Sequence, residues 1–160
     1  MIDLTRTLYE YMPQPPYKNM EYFKMKPIQD THRVTQLSLL SHTGTHVDVP
    51  YHVIKNGKRL HEIPLKKFMG EAVILNLTDK KPQEFITAQD LEKFDGEVKE
   101  GDIVIIRTDW SINDSRANYY TDHPKLDMSG AKWLVRKSIS AVGVDFPAIN
   151  IDPKIHQVLL

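Results

Sequence analysis

The sequence contains no cysteine, which excludes a disulfide framework and a thiolate zinc site. It has no excess of either charge, because 21 Lys and Arg residues balance 21 Asp and Glu residues. That balance argues against a broad basic surface for nucleic acid or for an anionic membrane. No apolar run approaches the roughly 20 residues of a membrane span, and no signal peptide is recognisable at the N-terminus. We therefore expect a cytoplasmic protein with no nucleic-acid or membrane partner.

The distribution of apolar residues predicts a mixed α/β fold in a single domain of residues 1–160. The sequence predicts a half-buried strand at 33–40, buried strands at 71–77 and 102–108, and a short strand at 141–144. Capping signals predict helices from Thr87 to about Phe94, over 129–139, and from Asp152-Pro153 onwards. The proline-rich segment 11–17 is expected to be extended and partly mobile.

Residues 41–52 hold the densest cluster of metal-binding side chains, with His42, His46, Asp48 and His52 in eleven positions. Glycine, proline and β-branched neighbours disfavour a helix here. In a straight strand, however, His42 and His46 would lie roughly 13 Å apart, too far to share a metal. We therefore predict a strand that curls at Gly44-Thr45 and gathers His42, His46 and Asp48 around one ion. The alternative is an edge strand with solvated histidines.

The run from His42 to His52 reads His-x-Gly-Thr-His-x-Asp-x-Pro-x-His. This pattern resembles the signature of the metal-dependent hydrolases called the cyclase family, which includes bacterial kynurenine formamidase and isatin hydrolase. Four further segments are similar to the family's opening strand, central strand, late helix and late strand: 2–5, 102–108, 131–134 and 142–145. The resemblance implies the family's swivelling β/β/α fold with a mixed sheet.

The resemblance also implies roles for individual residues. His42, His46 and Asp48 would bind metal, with Asp48 placed to bridge two ions, and His156 would be a further ligand. His52 would be the general acid/base. Family members carry a glutamate ligand downstream of the last histidine, whereas this sequence stops at Leu160 in the middle of a helical pattern. We therefore expect a C-terminally incomplete domain that binds one or two ions.

The implied reaction is hydrolysis of a C–N amide bond in a small aryl formamide or lactam. N-formylkynurenine, an intermediate of tryptophan catabolism by the kynurenine pathway, is the leading candidate substrate. Histidine and carboxylate donors are compatible with zinc, manganese and iron alike. We expect zinc, with manganese as an alternative, and the family implies a homo-oligomer, a dimer or a tetramer. Two other hypotheses stay open: a metal-dependent cyclase or lyase, and a metal-binding remnant without turnover.

Other polar and aromatic residues have weaker signals. His32 and His123 are expected to be solvated, and His61 to lie at the surface or to support a ligand. Asp145 could orient a ligand histidine, or cap a helix or form an ion pair. Trp110 either lines a substrate pocket or packs in the core.

Overall fold

The computed structural model describes residues 3–15, 21–29 and 31–160. The chain forms two compact units, Met1–Asp48 and Val49–Leu160, and each is described by itself. Strands and helices are numbered in chain order through both units. In the part of the chain that is described, no helix has the length and apolar character needed to cross a membrane. The single domain expected from the sequence stays a prediction.

The first unit contains an antiparallel hairpin of β1 (Lys24–Gln29) and β2 (Arg33–Ser38), in which Met25 pairs with Leu37. The predicted strand at 33–40 is confirmed, although it ends at Ser38. Its predicted half-burial is wrong, because all six residues of β2 are exposed. A two-stranded ribbon has no buried face unless another layer of structure covers it. The sequence did not reveal β1, since Pro27 and two lysines obscure its pattern.

The start of the chain differs from the family's expected opening strand. Ile2 lies outside the described residues, and Asp3, Leu4 and Thr5 are not in a strand. Instead, the Asp3 carboxylate accepts the Thr5 N–H at 2.8 Å.

The proline-rich segment 11–17 is not extended throughout. Tyr11 has a left-handed backbone (φ 61°) and donates its N–H to the Phe23 carbonyl at 3.3 Å, while Met12 is fully buried. Pro16 and Tyr17 lie outside the described residues. The part that is described is therefore turned and anchored at Tyr11 and Met12.

The second unit is built on a parallel sheet of three strands in the order β3 (Ala72–Asn76), β5 (Ile103–Arg107) and β7 (Ala141–Val144). Two short parallel strands, β4 (Phe85–Ile86) and β6 (Lys125–Leu126), form a separate ladder. The three strands predicted for the main sheet are confirmed, and β7 has the predicted bounds. The edge strand β3 is only partly buried: the Leu75 side chain is fully buried, whereas Ile74 is exposed.

Three helices follow the sequence signals closely: α1 (Ala88–Glu92), α2 (Met128–Arg136) and α3 (Pro153–Leu159). Thr87 and Asp90 form a reciprocal capping box at the start of α1, as predicted. Asp152 caps α3 by accepting the Lys154 N–H at 2.9 Å, with Pro153 at the first helical position.

The core of the second unit lies between the main sheet and these helices. It is formed by side chains with little or no exposure, among them Leu75, Val104, Ile106, Leu126, Trp133 and Leu134. Trp110 is 7% exposed and donates its indole N–H to the Tyr119 carbonyl at 3.0 Å. It is therefore a core residue rather than the lining of a pocket. Parallel and antiparallel strands together with helices confirm the predicted mixed α/β class.

Candidate metal centre

The histidine-rich segment is a turn rather than a curled strand. Strand β2 ends at Ser38, and residues 41–45 form consecutive turns and bends. The Thr43 N–H bonds to the Leu40 carbonyl at 3.1 Å, which closes the chain on itself and prevents the predicted strand from continuing. The predicted bend at Gly44 is confirmed, since its φ is +66°. A side chain at this position would be strained and would bring a Cβ within 2.5 Å of the Leu8 Cδ2.

The turn brings together His42, His46 and Asp48, all within the first unit. His42 Nδ1 lies 3.0 Å from His46 Nε2 and 3.3 Å from Asp48 Oδ1, and His46 Nε2 lies 3.8 Å from the same oxygen. Ligand atoms around a tetrahedral metal at about 2.0–2.1 Å are separated by about 3.3–3.4 Å. The three donor atoms therefore have the spacing of a metal site before any ion is added.

The protonation of His46 also fits a ligand. Its Nδ1 lies 2.8 Å from the Gly44 carbonyl oxygen, which can only accept a hydrogen bond. The proton is therefore on Nδ1, and the lone pair of Nε2 points toward His42 and Asp48. Such a carbonyl behind a histidine fixes the tautomer and the ring orientation of metal ligands. Sequence reasoning missed this role of the Gly44 carbonyl, because the motif specifies side chains and not backbone atoms.

The cluster is accessible and contains one carboxylate. The side chains of His42, His46 and Asp48 are 24%, 27% and 30% exposed, so one side of the site is open to small molecules. The Asp48 carboxylate supplies an anionic donor beside the two imidazoles. Two imidazole nitrogens and one carboxylate oxygen with an open side are the donor set of catalytic zinc and related divalent metals. The residues present fit a divalent ion.

The second unit brings together the other two predicted site residues, His52 and His156. Their rings lie edge to face, with centroids 5.5 Å apart and planes at 66°. His52 ends the short 3-10 turn Pro50–His52, and its N–H donates to the Val49 carbonyl at 2.8 Å. His156 lies on α3, one turn after the cap at Asp152. His52 is exposed and His156 is half-buried, and their predicted roles stay predictions.

The expectation for His123 is wrong. This side chain is 1% exposed, stacks on Phe146 with ring centroids 5.8 Å apart, and places Nδ1 2.7 Å from the Pro124 carbonyl. Burial lowers the pKa of His123. His32 and His61 are exposed, as expected. The burial of His123 could not be seen locally, because its stacking partner lies more than twenty residues away.

Asp145 joins two strand ends instead of serving a histidine or capping a helix. Its carboxylate accepts the backbone N–H of Thr108 at 3.0 Å and of Asp109 at 2.6 Å, together with the Thr108 hydroxyl at 2.6 Å. These bonds tie the residue after β7 to the residues after β5. Asp145 therefore supports the carboxyl edge of the main sheet.

Comparison with known proteins identifies the family of this chain. Residues 2–151 match the family model named Cyclase, described as "Putative cyclase". The chain belongs to this family. It is 32% identical over 118 residues to a kynurenine formamidase from Bacillus thuringiensis subsp. konkukian, an alignment that covers 73% of this chain and 53% of the relative. The chain thus spans about half the length of this relative.

Two solved structures have a similar fold. The structure of a potential metal-dependent hydrolase with cyclase activity matches 99% of this chain and 73% of its own, with a TM-score of 0.80 and 28% identity. Isatin hydrolase A from Labrenzia aggregata, bound to benzyl benzoate, matches 93% of this chain and 68% of its own, with a TM-score of 0.81. At 24% identity, this second likeness concerns the fold alone.

Proposed function

We propose that this chain supports metal-dependent hydrolysis of a C–N amide bond in a small aryl formamide or lactam. The observation that carries the proposal is the convergence of three donor atoms of His42, His46 and Asp48 at 3.0–3.8 Å. The tautomer of His46, set by the Gly44 carbonyl, supports the same conclusion. Zinc is the proposed metal and manganese the alternative, since both accept imidazole and carboxylate donors.

The name of the curated relative supports an aryl amide substrate, because that relative is a kynurenine formamidase. We infer that N-formylkynurenine is the leading substrate, and that His156 provides a further ligand when a second ion binds. The homo-oligomeric state implied by the family is also a proposal, which sedimentation velocity of the purified chain would test.

The mechanism assigns proton transfer to His52. A divalent metal, when bound, would polarise the amide carbonyl and make water more acidic. Water adds its oxygen to the carbonyl carbon while His52 accepts a proton, and the C–N bond breaks as His52 returns that proton to the leaving nitrogen. An imidazole ring can both accept and donate a proton, which suits both transfers. The His156 ring, packed edgewise on His52, restricts the orientation of that imidazole.

Two substitutions test the assignment of roles. His46→Ala should lose metal and turnover together, because a ligand and its lone pair are removed. His52→Ala should keep its metal and lose turnover by on the order of 10²–10⁴, the usual contribution of a general acid/base. Metal content is measured by elemental mass spectrometry, and turnover of N-formylkynurenine by product mass. His32→Ala and His61→Ala are matched controls, because both histidines are exposed and belong neither to the cluster of His42, His46 and Asp48 nor to the pair of His52 and His156.

The outcomes separate the alternatives. Addition of one water to the substrate supports a hydrolase, whereas unchanged mass or loss of water would indicate a cyclase or lyase. Metal without turnover of any amide in the wild-type chain would indicate a binding remnant. Loss of metal from His52→Ala would make His52 a ligand and contradict the proposed mechanism.

A further inference from the structure

The segment that follows the predicted acid/base is strongly basic. Residues 50–69 contain five Lys and Arg residues and a single acidic residue, Glu62, although the whole chain is neutral. The five cationic side chains are all exposed: Lys55, Lys58, Arg59, Lys66 and Lys67. Clustered positive charge raises the local concentration of anions. The exposed surface of this segment, which includes His52, therefore favours a negatively charged small molecule.

Within this basic segment, Arg59 is held in a defined position. Its guanidinium carbon lies 4.6 Å above the centroid of the Tyr51 ring, within the range of a cation–π contact. Tyr51 is half exposed and immediately precedes His52 on the same 3-10 turn. The stack thus fixes one cation next to the turn that carries the predicted acid/base.

The backbone around this stack is closed by hydrogen bonds. The Tyr51 N–H donates to the Lys58 carbonyl at 3.1 Å, and the Arg59 N–H donates to the Glu62 carboxylate at 2.8 Å. Gly57 packs so closely on Pro50 that an added Cβ would lie 2.5 Å from the Pro50 carbonyl carbon. Both ends of the loop are therefore fixed before a ligand arrives, which reduces the entropy lost on binding.

The guanidinium of Arg59 forms no ion pair with another residue in the described part of the chain. Elsewhere in this unit, Lys80, Lys137 and Arg107 each contact a carboxylate of the protein. Stacking on tyrosine occupies one face of the guanidinium and leaves its planar edge of N–H donors for a bidentate acceptor. A carboxylate has the geometry that this edge recognises.

We propose that Arg59, stacked on Tyr51, binds the carboxylate of an anionic aromatic substrate. It would act as a specificity-determining residue beside His52. The inference rests on the proposed function, because it names the class of amide selected: one that carries a carboxylate on or near its aromatic ring. Neutral amides of the same ring would lack this contact.

Binding of benzoate and of benzamide tests the proposal without turnover. Both are titrated by calorimetry into the 160-residue chain after treatment with a chelating resin, so that no metal contributes. Wild type should bind benzoate more tightly than benzamide. Arg59→Gln should weaken benzoate binding by about tenfold, the loss expected for a charge-assisted hydrogen bond at an open site, and leave benzamide binding unchanged. Arg59→Lys should fall between, because it keeps the charge and loses the planar edge.

Lys66→Gln is the matched control, since it removes one exposed charge from the same segment without touching the stack. It should bind benzoate nearly as wild type does. Equal losses of benzoate affinity in Arg59→Gln and Lys66→Gln would mean that the net charge of the segment, and not Arg59 itself, attracts benzoate. That result would overturn the assignment to Arg59. Equal affinity of wild type for benzoate and benzamide would overturn it as well. Neither result depends on catalysis, so neither can be confused with failure of the proposed function.

A second measurement uses two formamides that differ by one carboxylate, formanilide and 2-formamidobenzoate, with metal-loaded protein. Arg59→Gln should raise KM for the carboxylate substrate by about tenfold and leave kcat and the kinetics of formanilide unchanged. A fall in kcat for both substrates would mean that Arg59 supports the structure of the site in general, and it would contradict a role in specificity. Wild type that cleaves neither compound would contradict the proposed function, while the benzoate titration would still decide the role of Arg59.

Discussion

The burial of His123 couples the stability of the second unit to pH. The ring is enclosed, stacks on Phe146, and approaches the Pro124 carbonyl at 2.7 Å. Burial lowers the pKa of His123, the Pro124 carbonyl opposes that shift, and the nearby charges of Lys125 and Asp122 have smaller and opposite effects. The folded pKa is therefore below the unfolded value of about 6.5. The neutral ring stabilises the fold above that pH, and this stabilisation is lost as the pH falls through the folded pKa.

We expect His123→Gln to reduce the acid sensitivity of the protein, because glutamine cannot be protonated and still offers a donor to the Pro124 carbonyl. The free energy of unfolding is measured with urea at pH 7.5 and pH 5.0. The decrease between the two pH values should be larger in wild type than in His123→Gln. His61→Gln, which changes an exposed histidine, should behave as wild type. Equal decreases in wild type and His123→Gln would disprove the coupling.

Sequence reasoning at the level of residues succeeded where the signal was local. The spacing of His42, His46 and Asp48 identified a cluster that the structure brings within 4.8 Å, and Gly44 was recognised as the bend. It failed for His123, because burial depends on a ring contributed by a distant residue. It also missed the stack of Arg59 on Tyr51, since cation–π contacts between surface residues have no periodic pattern.

At the level of elements, helix α1 is anchored by a buried lysine. Lys80 is 7% exposed, and its ammonium group contacts Asp90 at 2.8 Å, Glu84 at 3.2 Å and the Phe85 carbonyl at 2.9 Å. Asp90 also accepts the Thr87 N–H in the capping box. Lys80 therefore connects the start of α1 to the loop before β4, and removal of its charge leaves Asp90 without its main cationic partner.

We expect Lys80→Met to lower the free energy of unfolding by about 2 kcal/mol, because breaking a largely buried pair leaves a charge without compensation. Lys93→Met provides the matched control: Lys93 is 58% exposed and approaches the same carboxylate only to 3.9 Å. Lys93→Met should lower the free energy of unfolding by less than about 0.5 kcal/mol, as expected for an exposed ion pair. Urea denaturation of both variants measures the difference. A similar cost for the two lysines would show that burial of Lys80 adds nothing.

Elements were predictable where their limits depend on neighbouring residues in the chain. The capping box at Thr87 and the Asp152-Pro153 start of α3 were read correctly because both signals lie within four residues. The strand predicted through Gly44 was wrong, since the choice between a curled strand and a turn depends on which partner strand is available. The short strands β4 and β6 pair across some forty residues, and no local pattern marks them.

At the level of the whole molecule, the buried apolar side chains are unequally divided between the two units. Of the buried hydrophobic residues, the described part of the first unit contributes Met12 and Phe23, whereas the second unit contributes the continuous core around β5 and α2. A unit of fewer than fifty residues with so small a core has little stability of its own. Binding of a metal to His42, His46 and Asp48 would therefore contribute a large share of its stability.

Hydrogen exchange of the 160-residue chain with and without Zn²⁺ tests this view. At a Zn²⁺ concentration about a hundred times the dissociation constant, amide exchange in residues 41–48 should be about a hundredfold slower, provided that the local opening needed for exchange releases the ion. Peptides from α2 should change little, because their protection comes from the apolar core. If His156 is a further ligand, residues 154–160 should slow together with 41–48; if it is not, α3 should be unaffected. His46→Ala should abolish the slowing of exchange by Zn²⁺. An equal slowing of every peptide would contradict this view, because it would mean that the ion acts on global unfolding rather than on the turn that holds the three donors.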